Sequence, residues 1–172
     1  MNENLYYYFL DNKFLTHGIG EVDDDETFLK FESVIKNGGL MSLQKLKERG
    51  INVSGKSSGY RITTENQISF FDPTVPEVKK RLLSEKYYYF LPFDPNVIFF
   101  IVDREKLDLK YNSIAPFEMN DDSGFVSVEH FRGIIAPSNS CKYLDDIQKK
   151  YGVCLPIYDF DFNITNNKEK SK

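Results

Sequence analysis

The sequence predicts a single α+β domain, and three observations favour that fold class. The chain has 172 residues, a length typical of one domain that buries a sizeable core. Apolar residues make up 41% and aromatic residues 15%, as in a globular protein rather than a disordered chain. Aromatic-rich strand candidates are interleaved with a few short helical patterns. We therefore expect a folded domain over residues 1–162, followed by a disordered polar tail over 163–172.

The segment from Leu15 to Ser42 predicts one wall of a ligand cleft. An aromatic run over 5–15 is typical of one bulged strand or of two short strands around a turn, and it is expected to end by turning His17 toward an opening. A helix begins near Thr27, because apolar residues then recur at intervals of three and four. The sequence Asn37-Gly38-Gly39 is expected to end that helix, since glycine adopts the left-handed conformation without steric cost.

The rest of the chain predicts further short elements in sequence order. A helix that begins at Ser42 is expected to end at Gly50, and another helix begins near Pro76, because proline suits a first helical turn. The apolar run 97–102 is the best candidate for a central strand that is buried on both faces. A helix over 141–151 is expected to end at Gly152. The other strand candidates are 60–64, 67–71, 87–91, 114–119, 133–137 and 153–160.

Composition and charge exclude several classes of function. The net charge of −4 and the pI near 5.3 argue against a broad surface that binds nucleic-acid phosphates. The two cysteines, Cys141 and Cys154, are too few for a disulfide framework, and no charged and apolar leader precedes the fold. No apolar run approaches the roughly 20 residues that a membrane helix requires. We expect a cytoplasmic protein with free thiols and no membrane partner.

The two histidines, His17 and His130, limit the possible general bases and metal ligands. The cysteines and histidines show no paired short spacing, so we expect no metal site. The sequence contains no phosphate-binding loop, no dinucleotide glycine fingerprint and no Gly-x-Ser-x-Gly motif. From chemistry alone, a histidine at a strand end is more often a structural hydrogen-bonding group than a ligand.

Three sequence blocks resemble those of the ADP-ribosyltransferase superfamily, of the type shared by the diphtheria-toxin-like and poly(ADP-ribose)-polymerase-like enzymes. Leu15-Thr16-His17-Gly18, followed by a helix that ends in Gly39-Leu40, resembles the first block. The strand Gln67-Ile68-Ser69-Phe70-Phe71 resembles the second. Pro116-Phe117-Glu118-Met119, followed by Val126 to Ile135, resembles the third, in which a strand with a glutamate precedes an Ile-rich strand. The resemblance covers most of residues 5–160 and implies split mixed and antiparallel β-sheets with a few flanking helices.

The resemblance implies that NAD is a co-substrate. His17 would hydrogen-bond a ribose hydroxyl, and the backbone at Gly18 would approach the nicotinamide amide. Ser69 and Phe70 would belong to the nicotinamide pocket, in which an aromatic ring stacks on the base. Glu118 would stabilise the oxocarbenium-like ribose that forms when the glycosidic bond breaks.

The resemblance leaves two residue assignments open and includes one departure. Tyr60 and the run 87–89 both qualify as the pocket tyrosine, and Glu129 competes with the favoured Glu118. Ile19 stands where the family usually has Thr or Ser, and it removes a hydroxyl that helps to hold the adenosine-side ribose.

The implied activity is mono-ADP-ribosylation of a protein or a nucleic acid. Small domains of this superfamily often act as toxins, effectors or agents of conflict between microbes and phages. The alternative is an inactive module that binds NAD, an ADP-ribose derivative or a partner protein, and the oligomeric state stays open.

Overall fold

A computed structural model describes residues 7–8, 11–51, 66–72, 95–111 and 118–166. The described helices are α1 (Asp25–Lys36), α2 (Leu43–Glu48) and α3 (Cys141–Lys150). Single 3-10 turns span Arg104–Lys106 and Val128–His130. The described strands are β1 (Phe14–Glu21), β2 (Gly39–Met41), β3 (Ile68–Phe71), β4 (Val97–Asp103), β5 (Leu109–Tyr111), β6 (Glu118–Asp121), β7 (Phe125–Ser127), β8 (Phe131–Ile135) and β9 (Ile157–Tyr158).

The strands form a seven-stranded mixed sheet in the order β5-β6-β3-β1-β4-β8-β9 and a separate two-stranded sheet of β2 and β7. Neighbouring strands are antiparallel except for β8 and β9, which run parallel. The described part of the chain is therefore a mixed α/β structure with few helices, which agrees with the predicted α+β class.

Strand β4 lies at the centre of the core, as its sequence predicts. It pairs with β1 on one side and with β8 on the other, and each residue from Ile98 to Val102 is at most 2% exposed. Because successive strand residues alternate between the two faces of a sheet, this burial means that both faces of β4 are covered. On one face Phe100 stacks on Phe31 of α1, with 5.4 Å between ring centroids and 9° between ring planes.

Helix α1 begins and ends where the sequence predicts. The Asp24 side chain accepts a hydrogen bond from the Glu26 amide (2.9 Å), which satisfies one of the free donors at the helix start. Phe31 and Ile35 are buried against the sheet. The chain leaves the helix through Gly38, whose φ of +77° is accessible to glycine at little cost.

Helix α3 packs beside α1 and is joined to it by a polar contact. The Glu32 carboxylate accepts hydrogen bonds from the Tyr151 hydroxyl (2.7 Å) and the Lys150 ammonium (2.7 Å). These two bonds, with that from Lys150 the larger cause, lower the pKa of Glu32. On the inner side Leu144 and Ile147 are buried, as the helical spacing predicts.

Two strand predictions are wrong in extent. In the segment 5–15, the chain is helical at 7–8 and 11–12, and β1 begins only at Phe14. Strand β1 then continues through His17 to Glu21, because β4 pairs with it along that whole length. Strand β9 contains two residues of the predicted 153–160, because the buried Gln148 side chain hydrogen-bonds both the N–H and the C=O of Leu155.

The described C-terminal residues are attached to β9. The Thr165 amide donates to the Ile157 carbonyl (2.8 Å), and Ile164 forms a bridge with Tyr158. The predicted tail from residue 163 is thus hydrogen-bonded as far as 166, and 167–172 lie outside the described residues. The predicted helix near Pro76 and the predicted strands 60–64 and 87–91 also lie outside them. None of the described helices is long and apolar enough to cross a membrane.

Candidate functional site

A cleft with a volume of about 230 Å³ opens between β1, α1 and β2, and we call it the His17 cleft. This volume is smaller than the roughly 300–1,000 Å³ of pockets that enclose a whole drug-sized ligand, so it suits a small ligand or one part of a larger ligand. The walls are largely apolar. The lining residues are His17, Gly18, Ile19, Leu29, Lys30, Ser33, Val34, Asn37, Gly39, Leu40, Met41, Leu46 and Ile51.

The His17 ring is fixed by a backbone carbonyl of the neighbouring strand. Its Nδ1 lies 2.7 Å from the carbonyl oxygen of Ser69 in β3. A carbonyl oxygen only accepts hydrogen bonds, so Nδ1 carries a proton and donates it. The Phe70 ring lies beside the imidazole, with 5.7 Å between centroids. The orientation of the ring is therefore set by the pairing of β1 with β3.

Burial decides the charge state of His17. Desolvation lowers the pKa of His17 from its ordinary value of 6.5, and the hydrogen bond to the Ser69 carbonyl opposes part of that effect. The ring is therefore neutral at pH 7. A neutral imidazole that is protonated at Nδ1 has a free electron pair at Nε2, so Nε2 can accept a hydrogen bond from a ligand hydroxyl.

We expect His17 to be the Nδ1–H tautomer at pH 7 and to titrate with a midpoint below 6.5. Because the folded protein binds this proton less readily than the unfolded chain, stability should fall as the pH drops below 6.5 toward the folded pKa. Nitrogen-15 NMR of the imidazole would show a protonated Nδ1 and an unprotonated Nε2. A protonated Nε2 in the neutral ring, or a midpoint above 6.5, would contradict this geometry.

Helix α1 contributes a short polar row to the cleft. Asn37 donates from Nδ2 to the Ser33 carbonyl oxygen (2.7 Å) and to the Ser33 hydroxyl oxygen (3.2 Å). Lys30 lies one turn earlier on the same face, because residues three and four apart are neighbours on a helix. Lys30 is the only charged residue among the described residues that line the cleft, His17 being neutral.

The structure brings some of the sequence-predicted residues together around this cleft. His17 and Gly18 line it, and Ser69 contributes its carbonyl to the His17 ring. Phe70 is 1% exposed and belongs to the hydrophobic core beside the ring. Tyr60 lies outside the described residues, so its assignment stays a prediction.

The backbone register places Glu118 two strands away from β1. Its Cα pairs with that of Phe71, and Phe71 pairs with Thr16, so these three positions form one row across β6, β3 and β1. Because neighbouring strands lie about 4.8 Å apart, the backbones at the two ends of the row are separated by about 10 Å. His17 belongs to the next row. The competing Glu129 is exposed in the 3-10 turn before β8.

Sequence reasoning predicted the segment that contains α1 as a wall of the cleft, but it did not identify the polar residues of the helix as part of the site. It made no prediction for Lys30 or Ser33, and it predicted Asn37 only as part of the helix stop. Their spacing of three and then four residues puts them on one face, next to the apolar face with Phe31 and Ile35. A polar row at the border of the apolar face, on the helix after a histidine-bearing strand, is the signal that could have identified them.

In the part of the chain that the structure describes, no group of three or more His, Cys, Asp or Glu residues is placed so that it could bind a metal ion. The cleft is instead built for hydrogen bonding and for apolar contact. Comparison with known proteins adds no further constraint on its ligand. No protein-family model, no curated protein and no solved structure matches this chain.

Proposed function

We propose that this chain is an NAD-dependent mono-ADP-ribosyltransferase that modifies a protein or a nucleic acid. The observation that supports this proposal is the His17 ring in the cleft. It is neutral, it is fixed through Nδ1, and its Nε2 carries an electron pair that could accept a hydrogen bond from a ribose hydroxyl. The apolar walls and the volume of the cleft suit the nicotinamide riboside half of NAD.

The proposed reaction needs the NAD ribose to be held while its bond to nicotinamide breaks. Nicotinamide leaves with the electron pair of the glycosidic bond, and positive charge develops on the ribose. A nucleophilic atom of the acceptor then bonds to the ribose carbon and loses its proton. The proposed role of Glu118 is to stabilise this oxocarbenium-like state by its negative charge. His17 would hold the ribose in place.

A second candidate function is a module that binds NAD or an ADP-ribose derivative without turnover. Two observations favour it. Ile19, which lines the cleft, has no hydroxyl for the adenosine-side ribose. The register also places Glu118 in the row of Thr16 and Phe71 rather than in the row of His17. Binding would then use His17, and no group would stabilise the developing positive charge.

Calorimetry with NAD, followed by mass spectrometry of released nicotinamide, separates these functions. The transferase binds NAD in a His17-dependent manner and releases nicotinamide, whereas the module binds without release. Absence of binding, together with an unchanged melting temperature in the presence of NAD, would contradict both, because a ligand that binds only the folded state raises that temperature.

We expect Glu118→Ala to lower nicotinamide release by about a hundredfold or more, because it removes one electrostatic contact with the transition state. The melting temperature should stay close to that of the unmodified chain, which shows that the fold is intact. Glu129→Ala is the matched control and should keep its activity. Undiminished release from purified Glu118→Ala would exclude Glu118 as the acidic residue, and loss in Glu129→Ala alone would transfer that role to Glu129.

A further inference from the structure

The charge of the His17 cleft is the starting point of a further inference. The chain as a whole is acidic, with a net charge of −4. Among the described lining residues there is no carboxylate, and the ammonium of Lys30 is the single formal charge. Because His17 is neutral at pH 7, the cleft carries a local positive charge on an acidic protein. A negatively charged ligand group would be favoured there.

Among the described residues, no carboxylate is paired with Lys30. Lys30 is partly buried, and it forms no ion pair with any described residue. Elsewhere on the same helix, the acidic Glu32 accepts hydrogen bonds from Lys150 of α3 and from Tyr151, which directly follows α3. The Lys30 ammonium, with its three N–H donors, is therefore available to a ligand of the cleft, because no anion among the described residues competes for it.

Ser33 supplies a second donor beside Lys30. Its hydroxyl oxygen accepts from Asn37, so that its own O–H remains available to donate, and no described residue accepts it. Lys30 and Ser33 are three residues apart and are neighbours on α1. An ammonium and a hydroxyl donor side by side are suited to the oxygens of a phosphate group.

We infer that Lys30 and Ser33 form a phosphate subsite in the His17 cleft, so that the ligand is a nucleotide and not a nucleoside. This inference rests on the proposed function, in which His17 holds a ribose. The two ends of the cleft then bind different parts of the ligand. The neutral His17 accepts from sugar hydroxyls, and Lys30 with Ser33 binds the phosphate that follows the sugar.

The test compares nicotinamide mononucleotide with nicotinamide riboside, which share a base and a sugar and differ by one phosphate. By calorimetry, the unmodified protein should bind the mononucleotide about tenfold more tightly than the riboside. This difference in affinity is the size expected for one partly exposed charge-assisted contact. Lys30→Gln should lose that preference, so that the mononucleotide and the riboside bind this variant with similar affinity. Lys36→Gln removes a charge from the exposed end of the same helix, outside the cleft lining, and should keep the preference.

Each outcome separates this inference from the proposed function. If both ligands bind in a His17-dependent manner with equal affinity, the phosphate subsite is wrong while ribose binding at His17 stands. If Lys30→Gln and Lys36→Gln weaken the mononucleotide equally, the effect is one of general charge, and the subsite is again wrong. If NAD binds the unmodified protein in a His17-dependent manner but the mononucleotide does not, the subsite is wrong while the proposed function stands. If NAD does not bind either, the proposed function is wrong as well. Melting temperatures of the variants show that each is folded.

Discussion

Gly39→Ala is expected to lower the free energy of unfolding by at least about 3 kcal/mol, which is a large effect for adding a single methyl group. A Cβ at this position would lie 2.2 Å from the carbonyl oxygen of Val126 and 3.0 Å from the Cα of Ser127. Both are backbone atoms of β7, so neither can turn aside as a flexible side chain would. Relief requires that β2 and β7 separate, although Gly39 pairs with Ser127 and Leu40 with Val126.

Gly50→Ala is the matched control for Gly39→Ala. Gly50 also has a positive φ, +65°, but a Cβ there would meet no atom within 4 Å. The Gly50→Ala substitution should therefore destabilise the protein only through the left-handed backbone conformation of this residue, by about 1–2 kcal/mol. Urea denaturation of both variants measures the difference. Equal stabilities would show that the close approach of β2 to β7 does not exist, and with it the wall that β2 forms in the His17 cleft.

Arg104→Leu is expected to destabilise the protein by about 3 kcal/mol, because it removes the Arg104 guanidinium from its ion pair with a buried carboxylate. The Asp72 side chain, directly after β3, is 0% exposed and forms an ion pair and hydrogen bond with the Arg104 guanidinium. The Arg104 side chain is 22% exposed, so that solvent screens the pair only in part. Since β3 also holds the His17 ring through Ser69, the site should loosen with the sheet.

Arg132→Leu is the matched control for Arg104→Leu. Arg132 pairs with Asp103 at 2.6 Å, but the two side chains are 39% and 16% exposed. Exposed ion pairs contribute little, so the cost should stay below about 1 kcal/mol. Combining Arg104→Leu with Asp72→Asn should recover part of the lost stability, because a neutral amide then replaces the buried carboxylate. If Arg104→Leu and Arg132→Leu lowered the free energy of unfolding equally, the burial of Asp72 would not be the cause of the loss in Arg104→Leu.

The sequence predicted those elements whose signals are local. Helix α1 has its cap at Asp24 and its glycine stop at Gly38, and both signals lie within a few residues of the helix. Strand β4 is an apolar run, which indicates burial on both faces without knowledge of its neighbours. The short helix α2 likewise follows its cap Ser42, whose side chain accepts from the Lys45 amide (3.3 Å).

The errors arise where distant residues decide the structure. The aromatic residues at 7–8 have a preference for strands, yet they are helical, and the length of β1 is set by its pairing with β4. The row of Glu118 depends on the pairing of β6 with β3 and of β3 with β1, which no local pattern specifies. The polar row of α1 likewise becomes part of a site only because β1 and β2 lie beside it.

Gly18 and its neighbour His17 are constrained by different parts of the structure. A Cβ at Gly18 would lie 3.0 Å from Cε1 of Phe99, a ring that is 2% exposed. Interior packing thus disfavours a side chain at this position whether or not any ligand is bound, whereas the imidazole beside it lines the cleft. In a lineage that ceased to use the cleft, genetic drift would replace the histidine first and leave the glycine in place. A deep mutational scan scored once for abundance and once for ligand capture would separate the two positions in the same way.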